Sequence, residues 1–119
     1  MDASNEVLVV SFGTTSADSR RSNIDSVEKT IGEAIGEEWV VRRSFTSQMI
    51  INIIAKKEGV KIYNVSEALE RASADGIRNL VVQPTHLMNG LEYEKLRGIL
   101  EEHADSFEKT ALGDPLLTS

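Results

Sequence analysis

The sequence contains no cysteine, which excludes disulfide bonds, thiolate zinc sites and a cysteine nucleophile. Long apolar runs are also missing, since the longest, Val7–Val10 and Met49–Ile51, are far too short to cross a bilayer. The polar, acidic residues 1–6 lack the basic stretch and apolar run of a signal peptide. These absences predict a cytoplasmic protein that does not enter a membrane.

Basic residues are outnumbered by acidic residues, 13 to 19, and the formal net charge is −6. Such a chain repels the phosphates of nucleic acids, so nucleic acid is not an expected partner. The glycine patterns of nucleotide sites, GxGxxG and GxxxxGK, do not occur, so no nucleotide cofactor is predicted. A chain of 119 residues should form one domain around a single core, over residues 1–119.

Short apolar runs and helical periodicities alternate along the chain. The apolar runs predict four strands, at residues 7–12, 39–44, 79–83 and 109–112. Apolar residues at helical spacing predict helices over about 18–35, after the caps Ser47 and Ser66, and over about 91–104. This alternation predicts an α/β protein with three layers, in which a four-stranded parallel sheet of flavodoxin-like topology is flanked by helices.

Ligands of parallel α/β sheets bind beyond the carboxyl ends of the strands, and three segments of this chain should meet there. The segments are residues 11–16, 45–48 and 84–92. Hydroxyl groups in the first two could hold an anion together with backbone N–H groups. They could equally be turn and cap residues at the start of the following helices, and both interpretations stay open.

His86 and Glu92 carry the most chemistry in the third segment. A neutral imidazole is a good ligand for divalent metals and titrates near neutrality, and a carboxylate near a helix start is stabilised by the helix dipole. Both roles suit metal delivery and proton removal, although a single histidine is as often structural. His103, among acidic residues at a helix end, is expected to be a solvated surface residue.

Four segments in order then resemble one known family. They read VVSFGTT at residues 9–15, RSFTSQMI at 43–50, VSEAL at 65–69 and VQPTHLMNGLEYEKL at 82–96. This set resembles the N-terminal half of the anaerobic cobaltochelatase family called CbiK. The final LGDPLL, residues 112–117, also resembles the family's passage between its two halves. No single motif is specific, but the ordered set spans nearly the whole chain.

The resemblance implies a sirohydrochlorin cobaltochelatase, a lyase that inserts Co²⁺ into sirohydrochlorin in anaerobic cobalamin biosynthesis without ATP. The family folds as two similar chelatase-like halves facing a cleft that holds the macrocycle, which bears eight carboxylates. The chain is therefore predicted to work with the missing C-terminal half or with a second copy of itself, and to be inactive or weak alone. Fe²⁺ and Ni²⁺ are alternative metals. Alternative functions are a sirohydrochlorin ferrochelatase and a non-catalytic module that binds a tetrapyrrole or a metal.

Carried onto this sequence, the resemblance also implies roles for individual residues. His86 would bind the metal, and His86 and Glu92 would handle the two pyrrole protons that leave as the metal enters. The residues implied to contact the substrate or to shape the cleft are Ser11, Gly13, Thr14, Thr15, Arg43, Phe45, Thr46 and Ser47. The resemblance places the family's principal metal-binding histidines in the C-terminal half, and Gln48 stands where the family typically has Arg.

Overall fold

The computed structural model describes residues 4–87, 90–114 and 117–118, and the side chains of residues 4–85 and 90–114. The strands are β1 (Asn5–Ser11), β2 (Trp39–Phe45), β3 (Asn79–Pro84), β4 (His86–Leu87), β5 (Lys109–Leu112) and β6 (Leu117–Thr118). The helices are α1 (Ala17–Ser19), α2 (Asp25–Ile35), α3 (Gln48–Glu58), α4 (Val65–Ala74) and α5 (Gly90–His103). A π-helical turn (Arg20–Ile24) joins α1 to α2, and a 3-10 turn (Ala104–Ser106) follows α5.

A parallel sheet with the strand order β2-β1-β3-β5 forms the middle layer. The strand β1 pairs on both sides, with Val9 opposite Arg43 of β2 and opposite Gln83 of β3. Because β1 and β3 are neighbours, the direction of the connections reverses between them, as in flavodoxin-like sheets. The predicted α/β class and parallel sheet are confirmed. The short strands β4 and β6 form a separate parallel pair, which was not predicted.

Helices cover both faces of the sheet. On one face, Leu8 and Val10 of β1 pack with Leu69 of α4 and Leu96 of α5. Successive residues of a strand point to opposite faces, so Phe45 of β2 points away from that cluster. The second cluster contains Phe45, Ile24, Ile51, Ile54 and Ile62, and it includes side chains from the π turn and from α3. The core therefore lies on both sides of β1, as expected for a strand with a continuous apolar run.

The predicted cap of α4 is wrong. Ser66 does not cap α4; Asn64 does, through a capping box in which its side chain accepts from the Glu67 N–H at 2.8 Å and its own N–H donates to Glu67 at 3.0 Å. This reciprocal pair satisfies two backbone N–H groups at once, which a cap at Ser66 would not do. In α3, Ile51 and Ile54 are buried, whereas Ile53 is 36% exposed.

The helix predicted over about 18–35 is interrupted by the π turn. At this turn the N–H of Asp25 bonds to the carbonyl of Arg20, five residues earlier, instead of four. Arg20 is itself buried, with 8% exposure. Its guanidinium donates to the Thr14 carbonyl at 2.9 Å and to Glu58 of α3 at 2.5 Å. The π turn is thus fastened both to the loop after β1 and to the neighbouring helix.

Glu6 is a buried carboxyl group within β1, with 0% exposure. Neither of its oxygens has a hydrogen-bond partner among the described residues, and Arg42 Nε lies 3.6 Å from Oε1. Burial raises the pKa of Glu6, and the charges of Arg42 and Arg71 offset only part of that rise. The folded protein therefore holds a proton on Glu6 more tightly than the unfolded chain does.

We expect Glu6→Gln to stabilise the fold near neutral pH. A raised folded-state pKa gives stability that is fully present below the unfolded pKa and is lost as pH rises through the folded pKa. A glutamine keeps the shape but never ionises, and Arg42 retains Asp75 as a partner at 2.6 Å. The gain in the free energy of unfolding should be about 1 kcal/mol or more at neutral pH, and much smaller at acidic pH.

Urea unfolding over a pH series measures this difference. Glu108→Gln is the matched control, because Glu108 is 62% exposed and pairs with Arg78 on the surface. The control should show no comparable dependence on pH. A Glu6→Gln protein less stable than the wild type at neutral pH would show instead that the ionised pair with Arg42 is net stabilising.

Candidate functional site

The three segments predicted to form a site meet at the carboxyl edge of the sheet. Their backbones are joined to the end of β1 by hydrogen bonds. The Thr46 N–H donates to the Ser11 carbonyl at 2.9 Å, and the Thr85 N–H donates to the Val10 carbonyl at 2.8 Å. The Ser47 N–H donates to the Phe12 carbonyl at 3.1 Å. The loops after β1, β2 and β3 are therefore held together by main-chain hydrogen bonds, which do not depend on the identity of their side chains.

Gly13 lies in the loop after β1 at this edge, and we call its backbone, which rests on the Phe45 ring, the ridge. Its φ of +110° lies in the region that L side chains rarely adopt. A Cβ atom at this position would lie 2.7 Å from Cδ2 of Phe45 and 3.3 Å from Cγ2 of Ile50. The ring of Phe45, which is fully buried, therefore packs directly beneath the backbone of the loop. Of the predicted site residues, Gly13 and Phe45 shape the edge by this contact.

Two cavities open at this edge, one lined by Gly13 of the ridge and the other by its neighbour Phe12. The first, which we call the switch-point cavity, has a volume of about 600 Å³ and is lined by Ser11, Gly13, Thr14 and Thr85 together with residues of the helical segment 19–27. It lies where β1 and β3 end side by side, the usual ligand position in such sheets. Ser11 is only 4% exposed, and its hydroxyl has no hydrogen-bond partner among the described residues.

The second cavity, which we call the Glu92 cavity, has a volume of about 460 Å³. Its lining includes Phe12, Thr46, Gln48, Glu92 and Lys95. The hydroxyl of Thr46 is buried and has no hydrogen-bond partner among the described residues. Glu92 lies in the first turn of α5 and is half-buried, so its carboxylate belongs to the wall of this cavity.

The wall of the Glu92 cavity is braced by side-chain amides. Gln48 donates to Asn52 and accepts from Asn64, each at 3.0 Å. Asn64 is the cap of α4, so this chain of amides ties the start of α3 to the start of α4. By the resemblance, Gln48 stands where the family typically has Arg. In this structure its amide holds the starts of two helices in place.

Ser47 and Thr15 have simpler positions. The Ser47 hydroxyl accepts from the Ile50 N–H at 3.2 Å, so this side chain caps α3 as the local sequence predicts. Thr15 is exposed in the loop before α1. Ser47 therefore has a structural role that accounts for its presence, whereas a contact between Thr15 and a ligand stays a prediction.

Arg43 lies apart from both cavities. It lines a groove at the outer side of β2, and it donates to the two oxygens of Glu28 at 2.7 and 2.9 Å and also to Asp25. Burial by itself would lower the pKa of Arg43, but the hydrogen bonds and charges of Glu28 and Asp25 outweigh it and raise the pKa. A substrate carboxylate would have to displace these internal carboxylates.

The two histidines lie at opposite ends of α5. His86 belongs to β4, where its backbone is paired with Leu117 of β6, and its side chain lies outside the described residues. His103 ends α5 and is half-buried, with Nδ1 2.9 Å from the Ile99 carbonyl oxygen, so it is less solvated than predicted. Among the side chains that the structure describes, no three histidine, aspartate or glutamate residues form a metal-binding cluster.

The helical wall of the switch-point cavity was not predicted. Its side chains follow the spacing of one helix face and are Ser19, Ser22, Asn23 and Ser26. That spacing is present in the sequence. A polar helix face normally faces solvent, however, and only the fold shows that this one borders the ligand edge.

Comparison with known proteins identifies the family. Residues 5–119 match the family model described as cobalt chelatase (CbiK), so the chain belongs to the cobalt chelatase family and the predicted family is confirmed. The chain is 34% identical, over 113 residues, to the curated sirohydrochlorin cobaltochelatase of Salmonella typhimurium. The alignment covers 95% of this chain and 42% of that relative, so the chain spans less than half of the relative's length. Within the described residues, no helix is long and apolar enough to cross a membrane.

We expect Gly13→Ala to destabilise the fold by about 2 kcal/mol or more, because the added methyl group meets the Phe45 ring and the backbone conformation is strained. Gly98→Ala is the control, since a Cβ on this glycine of α5 meets nothing within 4 Å. It should be neutral or stabilising by up to about 1 kcal/mol. Thermal and urea unfolding compare the two variants. Equal stability of Gly13→Ala and the wild type would mean that the ridge is not tightly packed.

Proposed function

We propose that this chain is the N-terminal half of a sirohydrochlorin cobaltochelatase and forms one wall of its substrate cleft. The observation that carries the proposal is the alignment of almost the whole chain with a relative of that name. The proposal is supported by two cavities with hydroxyl and amide groups in largely apolar walls, at the carboxyl edge of a parallel sheet, where ligands of such folds bind. Co²⁺ is the proposed metal substrate.

Metal insertion requires that a divalent ion approach the centre of the macrocycle while two pyrrole protons leave. We assign metal binding to His86 and proton transfer to His86 and Glu92, which lie at the two ends of one short connection from β4 into α5. An imidazole can do either task at neutral pH, and a carboxylate can accept a proton or offer an oxygen to the ion. The position of Glu92 in the wall of a cavity supports this assignment.

The surface around the Glu92 cavity suits a flat, partly apolar ring. Leu91 is 76% exposed and Met49 is 68% exposed, although both are large apolar side chains. Phe12 adds an aromatic surface inside the cavity. A contiguous exposed apolar patch usually marks a surface that another molecule covers, and we infer that Leu91 and Met49 belong to such a patch. We infer that the macrocycle lies across this part of the edge, with Thr46 and Lys95 close to its polar substituents.

The length of the relative implies that a complete cleft needs more protein. We propose that the second wall comes from a C-terminal half or from a second copy of this chain, and that this wall carries further metal ligands. The chain alone should then bind sirohydrochlorin but insert the metal slowly. Tight binding without any insertion, in the presence of the second wall, would favour the alternative of a non-catalytic binding module.

The test is Co²⁺ insertion into sirohydrochlorin, followed by absorbance under anaerobic conditions and corrected for the uncatalysed rate. His86→Ala and Glu92→Gln should each lower the enzymatic rate by about tenfold or more, since positioned proton-transfer groups contribute at least this much. His103→Gln is the matched control and should leave the rate unchanged, because His103 lies at the far end of α5.

The same variants should be compared with Fe²⁺ and Ni²⁺ to establish the order of metal preference. Equal insertion rates for His86→Ala and the wild type would remove His86 from the mechanism. Failure of the wild-type chain to bind sirohydrochlorin under any condition would overturn the proposed function itself.

A further inference from the structure

The switch-point cavity is uncharged, in a chain of which 27% of the residues are charged. None of the ten described residues that line it carries a charge. Its polar groups are hydroxyls and one amide, contributed by the end of β1, the following loop, Thr85 and the helical segment. Ile24 and Val27 add an apolar part to the wall. The cavity therefore offers neutral hydrogen-bond donors next to an apolar surface.

The π turn lies within this wall. It spans Arg20–Ile24, and Ser22, Asn23 and Ile24 of the turn line the cavity. The turn is held in place because Arg20 binds both the Thr14 carbonyl and Glu58. Such turns occur frequently at functional sites, because the wider backbone redirects the side chains that it carries. A wall that Arg20 fixes to both the loop after β1 and α3 is preorganised for a ligand.

Ser11 provides a second observation, independent of the π turn. Its side chain is more than nine-tenths buried, and its hydroxyl has no partner among the described residues. Leaving such a group unsatisfied costs about 1 kcal/mol or more, and rotation about the Cα–Cβ bond can turn the hydroxyl toward a group that enters the cavity. The ligand should therefore accept hydrogen bonds at the end of the cavity nearest β1.

We propose that the switch-point cavity binds a carboxylate-bearing side chain of the tetrapyrrole, an inference that rests on the proposed function. The methylene stem would pack on Ile24 and Val27, and the carboxylate would accept hydrogen bonds from Ser11, Ser26 and the Asn23 amide. Hydroxyl donors to a carboxylate form charge-assisted bonds, so the cavity needs no cation of its own. Binding here would fix the orientation of the ring against the Glu92 cavity.

Opposite charge changes at Ser26 test this assignment. Sirohydrochlorin affinity of the full chain is measured by fluorescence titration for the wild type, Ser26→Asp and Ser26→Lys. A carboxylate ligand requires that the aspartate weaken binding by about tenfold and that the lysine tighten it severalfold. Ser73→Asp and Ser73→Lys make the same changes on an exposed face of α4, far from the carboxyl edge, and should alter affinity by less than about twofold.

The double variant Asn23→Ala with Ser26→Ala gives a second measurement without a charge change, and should weaken binding by about tenfold. Circular dichroism confirms that each variant is folded. If the Ser26 variants behave like the Ser73 variants while the wild type binds sirohydrochlorin, the cavity assignment is overturned and the proposed function stands. If the wild type does not bind, both are overturned.

Discussion

The double pairing of β1 is the constraint on which the rest of the structure depends. The strand gives one backbone edge to β2 and the other to β3, and Glu6 through Ser11 are buried. A strand used on both edges and both faces has only its ends left to contribute to function. Its carboxyl end meets the loops after β2 and β3 through the carbonyls of Val10 and Ser11. The candidate site is therefore assembled by the same hydrogen bonds that complete the sheet.

The strands and the site edge were predictable because they follow from continuous apolar runs and from the geometry of parallel sheets. Which residues of α3 face the core was not predictable. The helix offers more apolar positions than one face can bury, namely Ile50, Ile51, Ile53 and Ile54. The cap of α4 required knowing that Asn64 and Glu67 face each other. The π turn was not predictable either. Ile24 still faces inward in this turn, so the spacing of apolar residues does not reveal that the helix is interrupted.

The chemistry of the site was predicted less completely than the fold, and charge explains why. Arg43 is a cation near the end of β2, as expected for a residue that contacts the substrate. However, α2 supplies Glu28 and Asp25 as its partners, and no local sequence pattern predicts this pairing. Arg20 and Arg42 also have carboxylate partners. In this acidic chain, these arginines are thus paired with carboxylates of the protein itself. The groups that remain at the two cavities are mainly hydroxyls and amides, whose importance only the tertiary structure shows.

The π turn also has a consequence for changes in chain length. It holds one residue more than the α-helical turn that it replaces, so it takes up the additional residue without rotating the helical segments on either side of it. A deletion of one residue between 20 and 24 would restore an ordinary α-helical turn and leave α1 and α2 in the same relative rotation. An unbroken α-helix over the same number of residues would instead rotate α1 by about 100° relative to α2, because each residue of an α-helix turns the chain by that angle. The π turn therefore keeps the side chains before and after it turned toward the same ligand edge.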